Sequence, residues 1–151
     1  MVKFIKKRVL TVISLFLLLT LLPVLPKTMA ASQGKMISRI REQIDADRYI
    51  VTTIYDTTMA RSSKTGAKST DYYYKGSCVW TLTVCGAFYY DGKTSVCTGD
   101  SVTYSTSSGW SCDRVSSSHS GSSATAYGTF TGAKTMSGSV SISCDSKGNL
   151  S

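Results

Sequence analysis

Apolar and polar residues alternate along the segment that begins at Cys78. Every second position carries an apolar side chain at Trp80, Leu82, Val84, Phe88 and Tyr90. The dipeptide Asp91-Gly92 follows, and a second extended run ends at Cys97. Period-two alternation that leads into a turn dipeptide whose glycine accepts positive φ predicts a β-hairpin with a two-residue turn.

The predicted turn assigns a sheet face to two of the cysteines. With a two-residue turn, Gly86 is expected to pair with Cys97, and paired residues share a face of the sheet. Cys97 is therefore expected on the core face together with Trp80, whereas Cys85 is out of phase and points the other way. A bulge or a three-residue loop would break this parity.

The remainder of the chain supplies further short strands, separated by turns rich in glycine and serine. Strands are predicted at 48–55, 102–105, 110–116, 124–131 and 135–144. Short strands at near-regular spacing are typical of an antiparallel sandwich or a small barrel. Trp110 follows Cys97 at about the separation found in immunoglobulin domains, but Ile142 stands where their tyrosine corner would be. The predicted fold class is all-β, an antiparallel immunoglobulin-like β-sandwich, where the term describes shape only.

The segment before the first of these strands has helical periodicity instead. Four apolar residues recur at helical spacing between residues 32 and 47: Met36, Ile37, Ile40 and Ile44. This pattern predicts a short amphipathic helix that covers an open sheet face. The alternative is a detachable pro-region or a helix on a membrane surface. Residues 56–71 contain few apolar groups and are predicted to form a linker or a long loop.

The first residues are predicted to be a targeting signal. Basic residues at the start of the chain precede an apolar run from Val9 to Leu25. Residues 28–31 offer the small side chains that a signal peptidase needs at its cleavage site. An uncleaved membrane anchor is the alternative, which two prolines near the end of the run disfavour. We expect a signal peptide at 1–31, a helix, strand and linker that form a candidate pro-region at 32–71, and a disulfide-stabilised β-sandwich at 72–151. The mature protein is then secreted, with no stable membrane anchor.

Removal of the signal changes the charge of the chain. The full sequence has 17 basic and 9 acidic residues, and five basic residues leave with the signal, so the mature balance is 12 minus 9, or +3. The sequence pI of about 9.3 is therefore largely a property of the signal and does not indicate a nucleic-acid partner. The sequence contains no Gly-rich phosphate loop and no HExxH or GxSxG motif, so no cofactor is expected.

Five cysteines in a short exported chain predict disulfide bonds. None has the CxxC spacing of a zinc site, so no metal site is predicted. Cys97 and Cys144 are both expected to face the core, and a bridge between them would pin the hairpin to the last strand. Cys78 with Cys112 is the second predicted bridge, because each shares parity with a nearby tryptophan. Cys85 is left either to join another chain in a dimer or to remain a free thiol.

Few residues are candidates for catalysis. His119 is the one histidine of the chain, and a serine nucleophile would need it to be oriented by a carboxylate, for which Asp113 is the nearest candidate. Serines are so abundant that proximity carries little weight, and we predict that the chain is not an enzyme. Binding is better supported, because three tyrosines lie at outward parity: Tyr73, Tyr89 and Tyr127. Such side chains suit protein or sugar recognition, unless they pack beneath the N-terminal helix.

Two motifs give the chain a resemblance to a known group of proteins. The segment WTLTV, followed by G-x-F-Y and Cys97, and the ending C-D-x-x-G-N-L-S resemble an uncharacterised family of short secreted β-domain proteins of Gram-positive bacteria. The resemblance covers about the last half of the chain and implies an exported β-domain without implying an activity. Cys78, Cys85 and Cys112 depart from the family pattern.

These observations predict a secreted extracellular protein that binds a protein or glycan on a host or neighbouring cell. The alternative is a bacteriocin-like or toxin-like antimicrobial that is released from a leader at 32–71. The intact mass of the secreted species distinguishes the two, because the first begins near Ala31 and the second near residue 70.

Overall fold

The computed structural model describes residues 34–58 and 63–151, which form an all-β structure. Eight strands follow one another in the chain: β1 (Lys35–Gln43), β2 (Arg48–Asp56), β3 (Lys64–Tyr74), β4 (Ser77–Tyr90), β5 (Ser95–Thr106), β6 (Ser111–Ser120), β7 (Ser123–Thr131) and β8 (Thr135–Ser143). The predicted signal peptide lies outside the described residues. Within the part that the structure describes, no helix is long and apolar enough to cross a membrane.

The strands form two antiparallel sheets packed face to face. Strands β1 to β5 make up one sheet in chain order, and β6 to β8 make up the other. The smaller sheet packs on β3, β4 and β5. The prediction of an antiparallel β-sandwich is therefore confirmed. Every pair of neighbouring strands is consecutive in the chain, so these are two meanders rather than the Greek-key connections of an immunoglobulin domain.

An aromatic stack joins the two sheets in the core. Trp80 of β4 lies nearly parallel to Tyr72 of β3, with ring centroids 5.4 Å apart, and to Phe130 of β7, at 4.5 Å. All three side chains are buried. Gly138 of β8 makes room for the indole, because a Cβ there would lie 2.8 Å from Cη2 of Trp80. Burial of these rings removes a large apolar area from water and fixes the orientation of one sheet relative to the other.

The β4–β5 hairpin is present, but its loop has four residues instead of two. Tyr90 pairs with Ser95, and Phe88 pairs with Cys97. The predicted pairing of Gly86 with Cys97 is therefore wrong by two residues. Lengthening a loop by two residues preserves the parity of the strand that follows, so Cys97 still faces the core, as predicted, and is buried.

Hydrogen bonds accepted by one side chain explain the longer loop. The Oδ1 atom of Asp91 accepts hydrogen bonds from the backbone N–H groups of Lys93 and Thr94, at 2.9 and 2.7 Å. The N–H of Gly92 is then free to donate to the carbonyl of Ser146, at 3.0 Å. An aspartate that caps its own loop in this way favours the wider turn over the two-residue turn.

Residues 35–43 form strand β1, so the predicted amphipathic helix is wrong. β1 is the edge strand of the larger sheet and pairs antiparallel with β2. The four apolar residues that suggested a helix remain about half exposed or more: Met36, Ile37, Ile40 and Ile44. A short helix is marginal in water without a surface on which to bury its apolar stripe, whereas pairing with β2 satisfies the backbone of this segment.

The predicted linker at 56–71 is also wrong from Lys64 onward, and its residues 59–62 lie outside the described residues. Strand β3 begins at Lys64 and lies between β2 and β4, so the domain boundary predicted after residue 71 falls inside a central strand. Small residues suit this strand because large side chains cover it. A Cβ at Gly66, for example, would lie 2.5 Å from Cδ1 of Leu150. A strand covered in this way needs few apolar residues of its own.

An ion pair holds the start of β3 to the end of β2. The Nζ atom of Lys64 donates to Oδ2 of Asp56 at 2.5 Å, and the Asp56 side chain is 25% exposed. Burial opposes ionisation of this carboxyl group. Hydrogen bonds from Lys64 and Thr58 outweigh burial and lower the pKa of Asp56 to about 2.

Replacing Asp56 by asparagine should lower the free energy of unfolding at neutral pH by about 1–2 kcal/mol. The pKa of Asp56 is lower in the folded state than its ordinary value of 3.8, so its stabilisation is complete above that value and is lost as the pH falls toward 2. Urea denaturation at neutral pH and near pH 3 should show a smaller difference between wild type and variant under acid conditions. Asp47→Asn serves as the control. A loss of equal size at both pH values would contradict the assignment.

Candidate functional site

A cleft on the outer face of the larger sheet is the clearest candidate for a binding site. It has a volume of about 370 Å³ and is lined by Arg39 and Arg41 of β1, Tyr49 and Val51 of β2, and Tyr73 of β3. Strand pairing brings these residues to one face, because Arg41 lies opposite Val51 and Tyr49 lies opposite Tyr73. We call this site the arginine–tyrosine cleft.

Three side chains of the cleft form a layered stack. The rings of Tyr49 and Tyr73 are 4.5 Å apart at an angle of 8°. The guanidinium carbon of Arg41 lies 3.7 Å from the centre of the Tyr49 ring, and Nη2 of Arg41 donates to Oε1 of Gln43 at 3.1 Å. Stacking orients the guanidinium group through its flat face and leaves other N–H groups at its edge available to a ligand.

The charges of the cleft have no acidic partner of their own. Within residues 34–58 and 63–151, neither Arg39 nor Arg41 forms an ion pair. Burial raises the pKa of the Tyr73 hydroxyl, as do neighbours that include Asp71, and the charge of Arg39 opposes this shift. The nearby Asp71 carboxylate accepts a hydrogen bond from Oγ1 of Thr81 at 2.8 Å. The cleft therefore combines two available guanidinium groups with aromatic surface, an arrangement suited to carboxylate, sulfate or phosphate groups.

The three tyrosines predicted to bind a ligand do not share one surface. Tyr73 lies in the arginine–tyrosine cleft, half-buried by its stacking on Tyr49. Tyr89 is exposed on the same sheet beside the β4–β5 loop, opposite Val96. Tyr127 is exposed on the outer face of the smaller sheet. Within residues 34–58 and 63–151 none of them packs beneath a helix, because β1 takes the place of the predicted one.

A second concavity opens at one end of the sandwich and was missed by the sequence analysis. It has a volume of about 320 Å³, and its lining consists of Arg48, Tyr72, Tyr74, Trp110, Ala133 and Lys134. These residues come from the start of β2, the end of β3, the residue before β6 and the β7–β8 turn. No sequence motif indicates the site, because the fold alone brings these distant segments together. We call it the mouth pocket.

His119 is oriented by Asp100 and not by Asp113, so the carboxylate predicted from the sequence is wrong. Its Nδ1 atom bonds to Oδ1 of Asp100 on β5, which links the two sheets. This bond to His119 lowers the pKa of Asp100. Asp113 instead accepts a hydrogen bond from Oγ1 of Thr131 at 2.5 Å. Among the described residues no serine hydroxyl bonds to His119, and its observed contact is one between sheets.

The five cysteines are unpaired in this structure. Cys97 and Cys144 are nevertheless neighbours in the core. The N–H of Cys97 donates to the carbonyl of Gly121 at 2.7 Å, and the N–H of Cys144 donates to that of Ser122 at 3.1 Å. Burial raises the pKa of the Cys144 thiol, and the proximity of Cys97 adds to this effect. Adjacent residues of one turn thus hold the two cysteines of the first predicted bridge.

The second predicted bridge does not fit the observed positions. Cys78 pairs with Tyr73, and its sulfur lies 3.7 Å from Oγ1 of Thr81 on the outer face of the larger sheet. Cys112 packs against the core from β6. The sheet separates the two thiols, and a disulfide would need the backbone to move. Cys85 lies on the outer face, half-buried, and its role in a dimer stays a prediction.

We expect Cys97 and Cys144 to form a disulfide in the presence of a small disulfide oxidant such as oxidised glutathione. Two thiols lose two hydrogen atoms, and the oxidant is reduced to two thiols. The bridge should stabilise the protein by about 2–4 kcal/mol, because it closes a long loop. Intact mass measures the loss of two hydrogen atoms, and urea denaturation measures the gain in stability. Cys97→Ala should abolish them and Cys85→Ala should retain them; a bridge that persists in Cys97→Ala would refute this pairing.

The C-D-x-x-G-N-L-S ending has a structural role in this fold. The Oδ1 atom of Asp145 accepts a hydrogen bond from the N–H of Asn149 at 2.9 Å, and Gly148 provides a φ of 85°. The resulting turn places Leu150 opposite Cys144 in a bridge and buries the leucine side chain. The ending therefore closes the core, and its residues do not contribute to either cleft.

Comparison with known proteins gives no assignment of family or function. No family model matches the chain, and neither a curated protein nor a solved structure matches it. The resemblance to secreted β-domain proteins of Gram-positive bacteria therefore stays a prediction. Function has to be inferred from the geometry of the described residues.

Proposed function

We propose that this chain is a secreted extracellular binding protein that recognises acidic groups on a protein or glycan of a host or neighbouring cell. One observation carries the proposal: Arg41 is stacked on the Tyr49–Tyr73 pair, with Arg39 beside it on an open sheet face. Arginine binds carboxylate and sulfate groups through paired N–H donors, and the tyrosine rings add contact area with polar tips. A ligand would therefore meet charges that are already oriented.

Binding is favoured over the other two classes of function considered. The contact of His119 with the carboxylate of Asp100 links the two sheets, and this structural role accounts for the histidine without catalysis. Release of an antimicrobial by cleavage near residue 70 would remove β1, β2 and most of β3 from the larger sheet. The cleft residues would be lost with these strands.

Binding to heparin, a sulfated glycan, and to polyglutamate, an acidic polypeptide, tests the proposal. Replacing Arg39 and Arg41 together by alanine should weaken binding to the recognised polymer by about tenfold or more. The matched control replaces Lys93 and Lys147, two exposed residues outside the cleft, and removes the same charge. Equal losses in both double variants would indicate general attraction of charge and would reject the cleft. If the protein bound neither heparin nor polyglutamate, the proposed ligand class would be rejected.

Two tyrosine variants test the surface itself. Tyr73→Ala removes one layer of the stack and should weaken binding by about tenfold, whereas Tyr127→Ala, on the opposite sheet, should leave it unchanged. Far-ultraviolet circular dichroism checks that both variants are folded. If Tyr127→Ala had the larger effect, the binding surface would lie on the smaller sheet.

A further inference from the structure

The mouth pocket brings two accessible aromatic rings and two cationic groups to one opening. Tyr74 and Trp110 supply the rings, and Arg48 and Lys134 supply the charges; Tyr72 also lines the pocket but is only 2% exposed. The pocket lies on the inner side of β2 and β3 and shares no lining residue with the arginine–tyrosine cleft. The mouth pocket is therefore a separate site from the arginine–tyrosine cleft.

Trp110 is held in place before any ligand arrives. Its backbone N–H donates to the carbonyl of Ser107 at 3.0 Å in the turn after β5, where Gly109 has a φ of 81°. The indole also rests against the backbone at Gly132, where a Cβ would lie 2.5 Å from Cδ2. A ring supported by backbone on one side loses little conformational freedom when a ligand packs on its remaining surface.

The two cationic groups of the pocket differ in their partners. The Nε atom of Arg48 donates to Oδ2 of Asp45 at 2.5 Å, and this bond to Asp45, with a smaller contribution from Tyr72, raises the pKa of Arg48. Lys134 is exposed at the β7–β8 turn and forms no ion pair within the described part of the chain. Lys134 is therefore the charge available to a ligand, and Arg48 is a fixed donor in the wall.

We infer that the mouth pocket binds one acidic sugar residue, a pyranose ring that carries a carboxylate. The rings provide apolar surface for the C–H face of a sugar, and Lys134 provides the partner for the carboxylate. An acidic amino-acid side chain would use the charge and leave the rings of Tyr74 and Trp110 without contact. A volume of about 320 Å³ is at the small end for ligand sites, which suits a single sugar residue.

Two matched sugars test this inference. Methyl β-D-glucuronide and methyl β-D-glucoside differ only in the exocyclic carbon, which is a carboxylate in the first and a hydroxymethyl group in the second. Titrations are followed by the indole N–H resonance of Trp110, which is assigned by its loss in Trp110→Phe. We expect saturable shifts with the glucuronide and about tenfold weaker binding of the glucoside.

Single variants identify the groups responsible. Lys134→Met should reduce glucuronide affinity to that of the glucoside and leave glucoside binding unchanged, and the control Lys147→Met should change neither. The double replacement of Arg39 and Arg41 should also have no effect, because the inference does not depend on the arginine–tyrosine cleft. Equal affinity for the two sugars, or no shift of Trp110 with either, would overturn it. So would equal binding of N-acetylglutamate amide, which would indicate an acidic peptide.

Discussion

Replacing Trp80 by alanine should lower the free energy of unfolding by about 3–5 kcal/mol, a large fraction of the stability of a small domain. Trp80 is 3% exposed and stacks on Tyr72 within its own sheet and on Phe130 of the other. Among the described residues its Nε1 atom has no hydrogen-bond partner, so the loss is expected to come from lost packing and from the cavity left behind. Urea denaturation followed by circular dichroism measures the change.

Trp110→Ala is the matched control for this prediction. Trp110 is a half-buried residue at the end of the sandwich, and its replacement should cost less than about 2 kcal/mol. Losses of equal size in the two variants would mean that the stack between the sheets contributes no more than a ring at the surface. The role assigned to Trp80 would then be wrong.

A chain that begins at residue 72 should not fold, whereas one that begins at residue 32 should fold. The shorter chain lacks β1, β2 and most of β3, so the fourteen-residue strand β4 loses one neighbour along its length. Leu82 and Val84 are fully buried, and both would lose the paired residues of β3 that lie beside them in the sheet. An exposed strand edge of this length is also a site of aggregation.

Circular dichroism and cooperative denaturation distinguish the two outcomes. The shorter chain should lack a cooperative transition and should bind a dye that detects exposed apolar surface. The chain that begins at residue 32 serves as the positive control. A folded, cooperative product from residues 72–151 would refute the prediction and would restore support for an antimicrobial released from a leader.

Strand β4 was predicted correctly because burial alternates along it. In β4, the side chains of Leu82, Val84 and Phe88 enter the core and their neighbours do not, so the period of two is visible in the sequence. Strand β3 was missed because side chains from elsewhere, such as Leu150, fill the space above its small residues. The face of Cys97 was predicted correctly from an incorrect register, since loops of two and four residues have the same parity.

Two of the five residues that line the arginine–tyrosine cleft were missed because helical periodicity was assigned to β1. Tyr73 was predicted from its outward parity, and it lies in the arginine–tyrosine cleft. Arg39 and Arg41 were missed because residues two apart point in different directions on a helix but share a face on a strand. An alternating reading of β1 would have placed them together. The mouth pocket had no such signal, because its residues meet only through tertiary packing.

The chain order of the strands has a consequence for how the molecule folds. Each sheet grows by successive hairpins, so most loops that must close are short and each meander can form without waiting for distant segments. The one long-range event is the docking of the two meanders, which follows the single crossing between β5 and β6. Folding kinetics should therefore be faster than those of sandwiches of similar size whose paired strands are far apart in the chain.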